Sequence, residues 1–207
     1  MILPTPQQCL DYFAEYKVPD NILHHCQRVQ KVSLILAEEL QKKNVPLNPE
    51  LVRCLGILHD LFKMITIKEF GKNHYHKDAK ITEEQQQFWT EMQEKYPNMY
   101  EGDVASLIFK EQFPELAVAL KNVSNPRHED YTWEERIVHY ADWRVLQEKI
   151  VLLEERLKYL QERYPRSPEV WERYAQKIKK MEQTIFAYLD FPPEQLEQKV
   201  SQVSHGS

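Results

Sequence analysis

Apolar residues recur at helical spacing along this chain. Ile22, Val29, Val32, Leu36 and Leu40 follow at steps of three, four and seven, which predicts an amphipathic helix with one core-facing stripe. The step missing between Ile22 and Val29 falls on His25. That imidazole should point inward, while His24 sits on the flank shared with Arg28 and Lys31. Asp20 or Asn21 can cap the helix. The next opens on Asn48-Pro49-Glu50, with Asn48 as cap and Pro49 at the first helical position. Val52, Leu55, His59 and Phe62 share one face of it. Leu51, Cys54 and Leu58 widen the stripe until most sides are apolar, which predicts a central helix. Gly56, one turn before Asp60, lets another backbone or a bound ion come close.

Other elements follow from local punctuation. A short helix fits Gln7 to Tyr16, between prolines. Thr82-Glu83-Glu84-Gln85 and Thr132-Trp133-Glu134-Glu135 are capping boxes, and Asp103 and Pro114 each open a helix. The second box starts a helix that places Asp142 on the face of Val138, Val145 and Leu146. Leu146, Ile150, Leu153, Leu157 and Leu160 then repeat four-three. After a break at Tyr164–Pro168, Trp171, Tyr174, Ile178, Met181 and Ile185 do so again. Two such seams predict an antiparallel helical hairpin that packs on itself, on the domain or on a second copy as a homodimer. No strand-period alternation of any length stands out. The expected architecture is all-α: a helical bundle over 1–145, a hairpin over 146–190 and a polar, flexible tail over 191–207. The Lys-rich stretch 64–80, with His74 and His76, reads as a solvated loop in preference to a phosphate-attracting flap.

Composition narrows the classes. The chain has 207 residues, enough for a real core, and only 4 glycines. A net charge of -5 argues against a nucleic-acid partner held by a basic surface. Cys9, Cys26 and Cys54 show no CxxC spacing, which suits buried thiols in a reducing compartment. With no secretory signal pattern and no apolar run of membrane-spanning length, a soluble cytoplasmic protein without a membrane partner is expected.

The chemistry lies in misplaced charge. His25, the pair His59-Asp60 and Asp142 each occupy positions where periodicity expects apolar residues. A buried acid must be paired, protonated or bound to a metal. Taken singly, each has an ordinary explanation as a hydrogen-bonded core residue, or as an ion pair with Arg136 or Arg144. Taken together, two imidazoles and two carboxylates suit one divalent cation of mixed nitrogen and oxygen preference, with open positions left for chemistry.

His25 followed by Arg28-Val29, then His59-Asp60 within an apolar helix, then Tyr140-Ala141-Asp142, resembles the H…HD…D signature of the HD-domain metal-dependent phosphohydrolase superfamily. The resemblance spans about residues 20–146. It implies an all-helical domain that binds Mn, Fe, Co, Ni, Zn or Mg through His25, His59, Asp60 and Asp142 and hydrolyses a phosphate ester, commonly of a nucleotide. Many relatives read HD-Ile-Gly-Lys, whereas here the run is His59-Asp60-Leu61-Phe62-Lys63, and Tyr100 stands where relatives with several metals carry a histidine. One ion is therefore favoured over two. Lys63 would hold a phosphate oxygen, or else pair with Asp60 or face solvent. Arg28 would add a second phosphate contact, or be a solvated flank. His128 would protonate the leaving oxygen or bind a second ion, or be a loop histidine without a role. His139 would stand behind Asp142. The rival reading is an inactive HD-fold module that binds a nucleotide without hydrolysing it.

Overall fold

The computed structural model describes residues 1–67 and 81–203. The Lys-rich segment 68–80, with His74 and His76, and the last four residues, with His205, lie outside the described residues. Helices begin mostly where capping residues stand. α1 (Pro6–Glu15) opens on a Thr5–Gln8 capping box. α2 (Asp20–Lys42) follows Pro19, and neither Asp20 nor Asn21 makes the expected cap bond. At α3 (Pro49–Leu58) the Asn48 side chain accepts from the Glu50 and Leu51 amides. α4 (Glu83–Lys95) and α7 (Trp133–Arg144) open on the two predicted capping boxes. Between them lie α5 (Glu101–Phe109) and α6 (Pro114–Ser124). Asp103 sits inside the first turn of α5 instead of capping it.

α2, α3 and α7 pack on one another and carry the inward-facing polar residues. Gly56 allows the close α2–α3 approach, because a Cβ there would stand 2.9 Å from Gln30 Cα. α3 ends at Leu58, so His59 is its C-terminal cap residue and Asp60 lies in the following turn. Phe62 is 1% exposed and meets the rings of Tyr16 at 4.8 Å and Phe109 at 6.3 Å. The bulky residue that replaces the usual glycine is therefore a core residue.

The C-terminal third departs from expectation twice. The four-three seam from Leu146 is not one helix. α7 ends at Arg144, and a two-residue ladder follows, with β1 (Val145–Leu146) antiparallel to β2 (Lys149–Ile150). Only then come α8 (Leu153–Arg163) and α9 (Pro168–Phe186). The cause is the buried Arg144 guanidinium. Its Nε donates to the Val151 carbonyl at 2.7 Å and its Nη2 to the Pro193 carbonyl at 2.9 Å. The Nη1 meets Glu182 at 3.3 Å and also the Tyr140 hydroxyl. This draws the chain back across the end of α7 and lays α9 on that helix. The α9 stripe Trp171, Ile178, Met181 and Ile185 is buried within the chain. The second departure is the tail. Instead of fraying, it forms α10 (Leu196–Val203), with Leu196 and Val200 at 0% exposure and Lys199 Nζ 3.3 Å from Glu39. Two apolar residues at i and i+4 sufficed, and their polar neighbours hid them. Among the described residues there are ten α-helices and one two-stranded ladder, and no helix is long and apolar enough to cross a membrane.

The helix contacts yield a stability prediction. A Cβ at Gly102 would stand 2.6 Å from Ser124 Cβ and 2.8 Å from the Leu120 carbonyl oxygen. Glycine to alanine within a helix gains at most about 1 kcal/mol, whereas forcing atoms into packed space costs about 1–3 kcal/mol. Gly102→Ala should therefore lower the urea midpoint, and by more than Gly56→Ala. An unchanged midpoint would show that α5 and α6 separate at no cost.

Candidate metal centre

Three ligand atoms converge where α2, α3 and α7 meet. One ligand atom each from His25, His59 and Asp142 lie within 4.8 Å of one another. His25 Nε2 stands 3.0 Å from Asp142 Oδ1, and His59 Nε2 stands 3.8 Å from the same oxygen and 3.9 Å from Asp60 Oδ2. With metal–ligand bonds near 2.1 Å, ligands of one ion lie about 3 Å apart at right angles and about 4 Å apart across it. All three separations fall in that window.

The proton inventory makes the same point. His59 Nδ1 donates to the Gly56 carbonyl at 2.8 Å, and His25 Nδ1 donates to the Gln147 carbonyl at 2.9 Å. In the neutral form that a metal ligand takes, each ring would turn its Nε2 lone pair toward carboxylates, which only accept. His59 Nε2 is buried with no hydrogen-bond partner among the described residues. His25 Nε2, His59 Nε2 and an Asp142 oxygen make a donor set suited to a cation, with Asp60 Oδ2 3.9 Å from His59. Histidines fixed through Nδ1 by backbone carbonyls are oriented as metal ligands commonly are. The residues present thus fit a divalent ion.

With no ion, the groups compensate one another. Burial works to raise the Asp142 carboxyl, but the contacts with His25 and His59 outweigh it and hold Asp142 well below the usual carboxylate range. Burial also works against a charged His59, yet Cys26, Asp60 and Asp142 together draw its pKa well above the ordinary value. Lys63 is opposed by burial too, and Asp60, Glu101 and Asp142 outweigh that. Its Nζ is 3.4 Å from Asp60 Oδ1 and 3.1 Å from Glu101 Oε1. Asp60 thus turns one oxygen toward the histidines and the other toward a charged lysine.

His25, Asp60, Lys63 and Asp142 line a cavity of about 630 Å³, within the range usual for small-molecule sites. Two expected participants are elsewhere. Arg28, half-buried on α2, does not line it. Nor does His128, whose ring meets Tyr131 edge to face at 4.8 Å and whose Nε2 is 3.8 Å from the buried Glu135. His128 is held against Tyr131 and the start of α7, outside the lining of this cavity. His139 Nδ1 donates to the Val123 carbonyl at 3.1 Å, and the residue lines a smaller neighbouring chamber. His24 is exposed, with Nδ1 3.7 Å from Glu148.

Sequence reading missed three parts. Glu101, which holds Lys63, looks like an ordinary first-turn acid. Gln147, which holds His25, does so through its backbone, with φ at 58°, a left-handed conformation uncommon for a residue with a side chain. Only the ladder turn, invisible in a helical seam, announces it. The third part is the aromatic and basic lining from α8 and α9, where the rings read as hairpin seam.

A family model described as the HD domain matches residues 22–145, more than half of the 207-residue chain. The family is of the metal-dependent phosphohydrolase type, and its members typically bind divalent ions. No curated protein and no solved structure matches the chain.

Binding to the native state alone stabilises by about 2.7 kcal/mol at a hundredfold excess over Kd, which in a chain of this size is about 5–10 °C in Tm. Adding Mn²⁺ or Zn²⁺ to chelator-stripped protein should produce such a rise, with one ion per chain by elemental analysis. His59→Ala and Asp142→Asn should lose it; a rise that persists in both would place the ion elsewhere. The pH dependence should carry the mark of His139, which burial depresses from 6.5 to about 4. The unfolded chain takes up this proton first as pH falls, so stability is lost between about 6.5 and 4, by about 3 kcal/mol at most. Urea midpoints should fall less steeply over that interval in His139→Gln than in the parent.

Proposed function

We propose that this chain, which belongs to the HD-domain family, is a metal-dependent phosphohydrolase that cleaves a small phosphate ester, a nucleotide or related phosphomonoester, with one bound divalent ion. The observation that carries this reading is the meeting of His25, Asp60, Asp142 and a charged Lys63 in the lining of one cavity, with the buried His59 Nε2 3.8 Å from Asp142. A divalent ion held by His25, His59 and Asp142, with Asp60 beside them, would supply polarisation of a phosphoryl oxygen and acidification of a water.

The chain's own groups do the rest. His25 and His59 are locked by their Nδ1 hydrogen bonds and spend no free energy on reorienting. Asp60 is an acceptor close to where the attacking water must sit, so one of its oxygens can orient or take that proton. Lys63 stays charged between Asp60 and Glu101 and offers a donor to a phosphate oxygen, where negative charge grows in the transition state. Glu101 is a positioning residue: it fixes the lysine without touching the ester. The inactive-module alternative loses one of its supports, because Phe62 packs in the core and leaves the cavity unobstructed.

A panel of phosphomonoesters and nucleotides, tested with each candidate ion, should reveal turnover. Asp60→Ala should abolish it. Lys63→Met should keep the ion but lower kcat/KM by roughly 100-fold. Stoichiometric ion binding with no turnover on any member of the panel would replace the enzyme reading with that of a binding module.

A further inference from the structure

The segment matched by the family ends at residue 145, yet the cavity does not. Its remaining lining comes largely from α8, α9 and their linker, and this lining differs in chemistry from the metal side. Trp143 at the end of α7 meets Tyr174 with centroids 6.5 Å apart, and Tyr174 meets Trp171 at 5.9 Å, both edge to face. All three line the cavity. Trp143 and Tyr174 also line the adjoining chamber of about 240 Å³, so the rings stand between the two spaces. Arg156, 4% exposed on α8, and Arg166 bring two guanidinium groups to the same space.

Rings at right angles around a cavity take one of two ligand classes: a quaternary ammonium, or a flat aromatic ring. The charges decide. Arg166 already lies over the Tyr174 ring, 5.5 Å from its centroid, and Arg156 stands on the same arm, so two guanidinium groups flank the rings while the lining carboxylates Asp60, Glu101, Asp142 and Glu148 come from outside α8 and α9. A cationic ligand would be repelled there, whereas an electron-rich heterocycle on an anionic ester is favoured twice. Arg156, Tyr164 and Lys63 line the same cavity. We infer that the α8–α9 arm is the element that selects the substrate. On this inference, which rests on the phosphohydrolase reading, Trp143, Trp171 and Tyr174 take the base of a nucleoside monophosphate, and Arg156 takes its phosphate together with Lys63.

The test compares three probes on the full chain loaded with Mn²⁺: adenosine monophosphate, ribose 5-phosphate and adenosine. Calorimetry reads binding, and phosphate release reads turnover. Adenosine monophosphate should bind about 10- to 100-fold tighter than ribose 5-phosphate, the range expected for stacking one base. Tyr174→Ala should bring that ratio close to one with ion content unchanged, and Tyr174→Phe should restore it. Arg156→Met, checked for an unaltered Tm, should weaken both phosphates and spare adenosine. Equal affinity for the two phosphates in the parent, or a ratio unmoved by Tyr174→Ala, overturns the inference. The two levels can fail separately. Base-dependent binding without turnover of any ester leaves the ring site standing and removes the phosphohydrolase. Turnover that ignores the base does the reverse.

Discussion

Ligand atoms of two imidazoles and the Asp142 carboxylate held within 4.8 Å of one another, with Asp60 3.9 Å from His59, cannot remain together unless positive charge joins them. That electrostatic demand organises the molecule. α2, α3 and α7 are packed closely enough to hold the groups in place, and Gly56 permits the close contact of α2 with α3. Backbone carbonyls of Gly56 and Gln147 take the histidines' Nδ1 protons, and the groups around His59 raise its pKa so that a second proton on that ring can supply part of the charge. Lys63 supplies part of it from one side, at 3.4 Å from Asp60. A divalent ion at the same point would take the place of that His59 proton.

Much of this was legible from periodicity, for a physical reason. A polar residue on an apolar helical stripe is an exception to the rule that builds the stripe, and His25, His59 and Asp142 are such exceptions. The helix starts at Pro49, Glu83 and Trp133 were equally readable, because a cap is a local chemical event. The failures share a cause too. Leu146 and Ile150 fit a helical seam, but Arg144 binds carbonyls far along the chain and ends the helix before them. Leu196 and Val200 lie among charges, yet the face of α2 is there to cover them. Long-range partners overrode local pattern in both cases.

The molecule therefore has two halves with different chemistry. The bundle gathers acceptors and buries them. The arm beyond residue 145 brings rings and guanidinium groups to the same cavity. Tyr140, Arg144 and Glu182 fasten the two through a buried network, with the Tyr140 hydroxyl donating to Glu182 at 2.6 Å. A charged network of this kind adds little net stability, but breaking one member leaves the others buried and unmatched. The arm is thus seated in one arrangement.

The turn at Gln147 has a thermodynamic corollary. One peptide carbonyl belongs at once to the arm's first bend and to the imidazole at position 25. Whatever holds that bend in its left-handed twist also holds the ring's lone pair toward the ion site, and reciprocity requires the converse. Occupancy of the ion site and seating of the arm are linked equilibria, so the half that gathers charge and the half that would choose the ester report on each other.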